Sequence, residues 1–405
     1  MSASHIVYVL VLLAPISLTV TLLAHAAVFV VLAPRKRKPL HAPPITILKP
    51  VKGTEPGLYE NLASFARQDY PAYELLIGAE DPADPALVVA RQVQRDHPGA
   101  RIAVVAGAHR LGLNPKVNLL SALSARAAHD HWLISDSNVR VGPDYLRETA
   151  DELGDPAVGL VTNVIVGQGE GAGALLENLH LASFVAGATS LARMASGRAC
   201  VIGKSMLFRR RDLEQLGGWW PLRSVLAEDY VLGRAFELLG YRVALSPYVI
   251  GTVNDGWTIE RFVNRHLRWA QMRRRVSPLA FAGELILNPV LWIALAALAS
   301  RDLRLCLFGA LGVAIKCAAD ALVLRRLGPP PRLRQLLAVP FKDLLLAGVW
   351  GVGAFRRTID WRGTRMRIEA GSQLVPIAAD ERVVARRAQG RGARLQDVEL
   401  AQEAA

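Results

Sequence analysis

From Ile6 to Leu32 the chain carries no acidic side chain, no lysine and no arginine. That run constrains the fold more than any other feature. About 20 apolar residues cross a bilayer as a helix, because lipid offers no hydrogen-bond partner and a helix satisfies its own backbone. Pro15 is tolerable inside such a segment. A basic cluster, Arg35-Lys36-Arg37-Lys38, comes directly after it. A secretory signal has its positive charge before a shorter apolar core. The reversed order here predicts a retained anchor, with the following domain on the cytoplasmic side.

The remaining charge follows the same logic. The net charge is +13 and the isoelectric point is near 10.1, yet 52% of residues are hydrophobic and the mean hydropathy is +0.24. So basic a chain invites a nucleic-acid reading, but its lysines and arginines form no stripe on one polar domain. They gather at the edges of apolar segments: 35–38, Arg273-Arg274-Arg275, Arg325-Arg326 with Arg332 and Arg334, and Arg356-Arg357. That placement fits anionic lipid at a cytoplasmic face and excludes nucleic acid as a partner. Three scattered cysteines, Cys200, Cys306 and Cys317, build neither a zinc site nor a disulfide framework, which suits a reducing compartment.

Three more apolar stretches follow near 279–300, 303–324 and 336–355. The first two are long enough to span. The third contains Lys342-Asp343 and is expected to lie in the interface or re-enter, which keeps both the 325–334 loop and the tail from Arg356 cytoplasmic. Glu284, Lys316 and Asp320 are costly in lipid and must face protein or water. The expected organisation is an anchor (1–38), a cytoplasmic domain (39–278), a membrane region (279–355) and a basic cytoplasmic tail (356–405). The last part of that tail, 385–405, carries no chemistry. The whole is a multi-pass integral membrane protein, of a bacterial inner membrane for example.

Between Pro44 and Gly256 short β-branched runs alternate with helical stretches. Strands are predicted at 45–48, 73–77, 101–105, 131–134 and 158–161, and helices at 58–66, 87–95, 116–127 and 144–153. Such alternation makes an α/β domain with a mostly parallel sheet, and ligands then bind beyond the carboxyl ends of the strands. Two acidic segments lie there, Ala79–Asp84 and Ser135–Asn138.

Asp81 and Asp84 sit in a proline-fixed turn from which carboxylates can accept hydrogen bonds from a base and ribose. Asp136 and Asn138 stand at a strand tip, where oxygen ligands can hold Mg²⁺ or Mn²⁺ against a diphosphate. Lys116 and Asn118 open a helix, a place where phosphate or a nucleoside edge can bind. Glu228-Asp229 begins the predicted helix 230–239, where acids also complement the helix dipole. In Arg265-His266-Leu267-Arg268-Trp269, two arginines share a helical face just before the chain turns apolar, and their planar forks suit phosphate oxygens. Trp269 adds a flat apolar surface. Gly203-Lys204-Ser205 ends like a phosphate loop but lacks the preceding glycine, so it is no nucleotide-hydrolase motif. Trp219-Trp220 reads as core before it reads as an acceptor wall. Each piece alone has an ordinary structural explanation; their order does not.

That order resembles the ceramide glucosyltransferase family, within the wider class of inverting, family 2-like glycosyltransferases. The resemblance begins at Leu48-Lys49-Pro50-Val51-Lys52-Gly53 and Gln68-Asp69-Tyr70-Pro71. It continues through Asp84-Pro85-Ala86, 112–118, Asp136–Val141 and Ala227-Glu228-Asp229-Tyr230 to Arg265–Trp269, with Thr358–Arg362 similar to the family's tail. It implies a GT-A nucleotide-sugar fold and a signature of three acids plus (Q/R)xxRW, falling on Asp84, Asp136, Asp229 and Arg265/Arg268/Trp269. Asp81 is the alternative nucleotide contact. Two departures are visible: Asn138 stands where a second acid is usual, and Ser183–Gly187 lacks the His-Pro-Arg of similar animal enzymes. A related bacterial branch that glycosylates hopanoid head groups looks similar too.

The activity so implied is transfer of a hexose from a UDP-sugar to a lipid hydroxyl, UDP-glucose to ceramide first and a UDP-sugar such as UDP-GlcNAc to a hopanoid polyol as the alternative. Asp81, Asp84, Lys116 and Asn118 would hold the nucleoside side, and a divalent cation at Asp136 and Asn138 the diphosphate. Asp229 would be the general base, with Arg265, Arg268 and Trp269 at the leaving group and acceptor mouth. The rivals are a processive polysaccharide synthase and a non-enzymatic, lipid-binding scaffold.

Overall fold

In the computed structural model, which describes residues 3–33, 42–361 and 364–377, the apolar run forms one helix, α1 (Ala3–Val31). The basic cluster 35–38 and the 385–405 segment lie outside the described residues, as does Arg362. At 1.5 Å per residue, α1 is about 43 Å long. Its last turn does not stop at the domain surface. Val28, Val31 and Leu32 join the core beneath the sheet, so anchor and domain are one packed body.

The α/β region begins with β1 (Ile45–Pro50), α2 (Leu58–Ala66), β2 (Tyr73–Ala79), α3 (Ala86–Asp96), β3 (Ile102–Ala106), α4 (Pro115–Ser124) and β4 (His131–Ile134). The β-branched runs and amphipathic helices thus fall where the alternation predicts. β5 (Val139–Arg140), α5 (Tyr145–Ala150), β6 (Val158–Gln168), α6 (Ala172–His180) and α7 (Ala186–Ser196) follow. A wide π-type turn, Leu181–Val185, joins α6 to α7. β7 (Met206–Arg209), α8 (Arg210–Gln215), α9 (Glu228–Leu238), β8 (Arg242–Val253) and α10 (Ile259–Val276) complete it.

The eight strands form one sheet in the order β3-β2-β1-β4-β7-β6-β8-β5. β1, β2, β3 and β4 pair in parallel, as do β6 and β8; β7 runs against both β4 and β6, and β5 against β8. The sheet is therefore mixed. Its one internal reversal, at β7, matters for the site. Trp219 belongs to the core, stacked 6.3 Å from Trp132, whereas Trp220 is exposed.

After α10 come α11 (Pro278–Gly283), α12 (Pro289–Ser300), α13 (Leu303–Leu327) and α14 (Leu333–Phe355). Three described helices are long and apolar enough to cross a membrane: α1, α13 and α14. The stretch 278–300 is instead a pair bent by 69° at Asn288. Counted as one broken span, the pair fits the expected crossing at 279–300; as a re-entrant loop it does not. Asn288 explains the break, because its side chain caps Leu291 N and donates to the Asp343 carbonyl.

Charged groups inside the apolar helices meet one another, as lipid requires. Lys316 pairs with Asp320 at 2.5 Å and Asp343 at 3.0 Å, Asp343 with Lys342 at 2.8 Å, and Asp320 with His25 of α1 at 2.7 Å. Lys342 also reaches Ser183 Oγ in the wide turn, and Glu284 pairs with Arg273. Beyond α14, β9 (Thr358–Trp361), β10 (Thr364–Ile368) and β11 (Leu374–Pro376) form a second sheet. It docks on the segment leading into α9: Ser372 accepts from Leu226 N through its carbonyl and from Ala227 N through Oγ. The start of α14 lies across one cavity from the same domain, with Arg332 and Arg334 on one wall and Gln168–Ala172 on the other.

Candidate active site

Two strand ends and two helix starts converge on a cluster of charges. β4 delivers Asp136 just past its carboxyl end. Because β7 returns antiparallel with Met206 opposite Ile134, the residues entering β7 lie beside those leaving β4. Lys204 is thereby placed at Asp136. Its Nζ lies 2.9 Å from Asp136 Oδ2 and donates to Asn138 Oδ1 at 2.7 Å. Lys116, on the first turn of α4, lies 3.0 Å from Asp136 Oδ1 and 2.9 Å from Glu228 Oε1. Asn114 caps that turn by accepting from Lys116 N and Val117 N, and its amide reaches Val225 O, so α4 and the approach to α9 are tied together.

Asp229 opens α9 beside them. Gly203 N donates to its Oδ2 at 2.6 Å and Tyr230 N to its Oδ1 at 2.8 Å. A Cβ at Gly203 would stand 2.9 Å from Asp229 Oδ2 and 3.1 Å from Lys116 Nζ, so only glycine allows this approach. Burial, with Glu228 adding to it, raises the Asp229 carboxyl to about 6, against the pull of Lys116. Asp136 goes the other way: burial would raise it, but Lys116 and Lys204 hold it well below the usual carboxylate range. One acid is thus permanently ionised and its neighbour poised near neutrality, the split expected where one carboxylate stabilises charge and another takes a proton.

The arginine helix is braced from behind. Gly173 of α6 lies so close to Thr258 that a Cβ would clash with its carbonyl. One turn on, the fully buried Glu177 faces Arg265 (3.2 Å) and His266 (2.6 Å). The Arg265 guanidinium lies over Trp269 at 4.4 Å and Trp257 at 5.2 Å. Burial opposes the Glu177 charge, yet Arg265 and His266 together hold its carboxyl below the ordinary value. Arg265 is therefore fixed in plane and direction. Its charge also bears on Lys204, which links α10 to the acidic cluster. Arg268 is half-buried on the same helix.

The expected nucleoside residues differ among themselves. Asp84 Oδ1 accepts from Gly53 N and Ala86 N, fastening the β2 turn to the end of β1, while Asp81 is exposed and bonds only its own turn at Ala83 N. Asn118 is committed to the loop before α4: it accepts from Leu111 N and Gly112 N and donates to Gly112 O. Among the described residues, no hydrogen bond or ion pair joins Asp81 or Asp84 to Asp136.

The sequence pattern of glycosyl transferase family 21 matches residues 7–374, nearly the whole chain. The chain belongs to that family. Ceramide glucosyltransferase 3 of Caenorhabditis elegans is 28% identical over 238 residues, covering 58% of this chain and 52% of that protein. The ceramide glucosyltransferase of Komagataella phaffii is 37% identical over 126 residues, covering 29% and 25%. The chain thus spans about half the length, or less, of these curated relatives. Among solved structures, the mannosyltransferase PcManGT of Pyrobaculum calidifontis, described in complex with GDP-Man and Mn²⁺, superposes with a TM-score of 0.50 at 18% identity, over 85% of this chain and 99% of that one. The fold is GT-A-like.

For this family 21 chain, Asp136, Asn138, Lys116 and Asp229 meet in one place, and Arg265 and Trp269 lie on the helix facing it. Sequence reasoning missed Lys204 as a member of the cluster, and Glu177, Trp257 and Gly203 as supports. Gly203-Lys204-Ser205 was the available signal for two of these, but only the β7 reversal gives it meaning.

A divalent cation at Asp136 and Asn138 fits this donor set poorly. Both Asp136 oxygens and Asn138 Oδ1 already face ammonium groups at 2.7–3.0 Å. No group of three His, Cys, Asp or Glu that could hold a metal is found among the described residues. A dication about 4 Å from an ammonium costs roughly 8 kcal/mol at an effective dielectric near 20.

Proposed function

We propose that this chain is a membrane-bound inverting glycosyltransferase that moves a hexose from a UDP-sugar to a lipid hydroxyl, with UDP-glucose and ceramide as its substrates. The observation that carries this reading is Asp229: a carboxylate raised to about 6, held by two backbone N–H groups beside the cluster of Lys116, Lys204 and Asp136. A base needs that poise and that fixed direction. The UDP moiety lies along the carboxyl ends of β1, β2 and β4, with Asp81 and Asp84 toward the nucleoside. The lipid oxygen attacks the anomeric carbon while Asp229 takes its proton. The bond to the diphosphate oxygen breaks with its electron pair, and Lys116, Lys204, Arg265 and Arg268 receive the growing charge. Trp269 shapes the acceptor mouth. The step is single: no residue is asked to form a covalent sugar intermediate, whereas a retaining route uses a second carboxylate as nucleophile. A divalent ion at Asp136 is the second reading of that locus and requires both lysines to swing away.

Membrane placement follows the same proposal. α1 and the α12–α13 hairpin reach into the bilayer and the domain faces the cytoplasm. What supports an interfacial α14 is that both its flanks lie at one domain: Arg332 and Arg334 share a cavity with Gln168–Ala172, and Thr358 O, just past the helix, accepts from Gln271 of α10. A water-insoluble acceptor would then enter along the leaflet below α10.

Membranes containing the protein, incubated with labelled UDP-glucose and UDP-GlcNAc and analysed by mass spectrometry, test this. The expected product is one glycolipid with a single hexose on a sphingoid backbone. A hopanoid mass would reassign the acceptor, a polymer would indicate a processive synthase, and no incorporation would leave a lipid-binding scaffold.

A further inference from the structure

We infer that Lys204, with Lys116, supplies at Asp136 the positive charge that a divalent cation would otherwise bring, so that a nucleoside diphosphate binds and leaves against two ammonium groups. This rests on the donor reading above. Lys204 makes both contacts a metal would make there, to Asp136 Oδ2 and Asn138 Oδ1. The substitution is balanced in charge. A neutral Asn138 leaves one carboxylate at the locus, which suits a resident monocation, whereas a dication is held by more anionic oxygen.

Geometry also leaves Lys204 something to give. An ammonium has three donors. Lys116 faces Asp136, Glu228 and the Gly203 carbonyl, so all three of its donors are engaged. Among the described residues Lys204 uses two, on Asp136 and Asn138, which leaves its third for a phosphate oxygen. Its side chain is buried, so water screens that contact little. The residue is fixed by the β4–β7 register and by Ser205, whose Oγ donates to Asn163 and meets Tyr145 at 2.7 Å. No bond forms or breaks at Lys204: the diphosphate oxygen gains the electron pair of the broken glycosidic bond.

Calorimetric titration of the full-length protein in lipid nanodiscs with UDP, in excess EDTA and in Mn²⁺, tests the inference. The wild type should bind UDP with affinities within about twofold in the two buffers. Lys204→Met should bind about tenfold more weakly in EDTA, the loss of one charge-assisted hydrogen bond, and Mn²⁺ should restore part of it. Lys204→Arg should stay insensitive to EDTA. Wild-type binding that collapses in EDTA overturns the inference alone, and needs no variant to fold. UDP that binds in neither buffer overturns the donor reading and this inference with it.

Discussion

The protein buries two charge clusters of similar size, and they differ in how they close. On the membrane side, two lysines (Lys316, Lys342) meet two aspartates (Asp320, Asp343), with His25 completing Asp320; charge balances within the set. In the sheet-end cluster, Lys116 and Lys204 face three acids, Asp136, Glu228 and Asp229. The first joins α1, α13, α14 and the wide turn into one body, which is what a saturated buried network can do. In the second, the ion pairs of Lys116 and Lys204 fall on Asp136 and Glu228, and the remaining acid, Asp229, is the one raised to about 6. A balanced cluster locks; an unbalanced one is poised for chemistry.

The largest expected effect breaks the unbalanced cluster. Asp229→Asn keeps the shape and removes the base, so turnover should fall by about 10²–10⁴ while UDP affinity stays nearly unchanged. A variant with a tenth of wild-type rate would remove Asp229 from the mechanism. The matching change on the membrane side is Asp320→Asn, which leaves Lys316 short of its closest partner. Thermal or denaturant unfolding should show a loss of about 3–5 kcal/mol, the cost of opening a buried pair. The surviving folded fraction should keep its KM for the UDP-sugar. A raised KM there would mean that the two clusters are coupled.

A smaller effect comes from pH. Protonated Asp229 cannot accept a proton, so the rate should rise with pH through about 6 and reach roughly a tenth of its plateau one unit below. Protonation of Asp136 does not contribute to this limb, because its carboxyl is held far lower. A rate flat from pH 5 to neutrality, an interval set by the reference carboxylate and histidine range, would place proton removal elsewhere.

The parts of the fold read correctly from sequence are those with local causes. The strands predicted at 45–48, 73–77 and 131–134 follow from β-branched runs and appear as β1, β2 and β4, α2 follows from its apolar spacing, and the turning of Lys316 and Asp320 away from lipid follows from the cost of charge there. Asp136 and Asp229 were visible because strand tips and helix starts are themselves local. Lys204 was not, since its role depends on a four-residue strand returning antiparallel after α7. Glu177 was equally hidden, being 89 residues from its partner His266. The bend at Asn288 escaped because hydropathy averages over the cap that breaks the helix.

The smallest effect comes from the second sheet, which lies far along the chain from the acids it supports. Ser372 Oγ accepts from the buried Ala227 N at 2.9 Å, and its carbonyl accepts from Leu226 N, so the sheet clamps the residues just before Glu228-Asp229. Ser372→Ala removes the hydroxyl and leaves Ala227 N without that acceptor, a loss of about 1–3 kcal/mol. The expected fall in kcat is about three- to tenfold, because a slight shift of the Asp229 approach misaligns the base. Ser372 also adopts a left-handed φ of 65°, which glycine accepts more readily. Ser372→Gly should therefore lose the same activity while unfolding at a higher temperature than Ser372→Ala. If the two variants lose unequal activity, backbone strain and not the hydroxyl is what the sheet lends to the site.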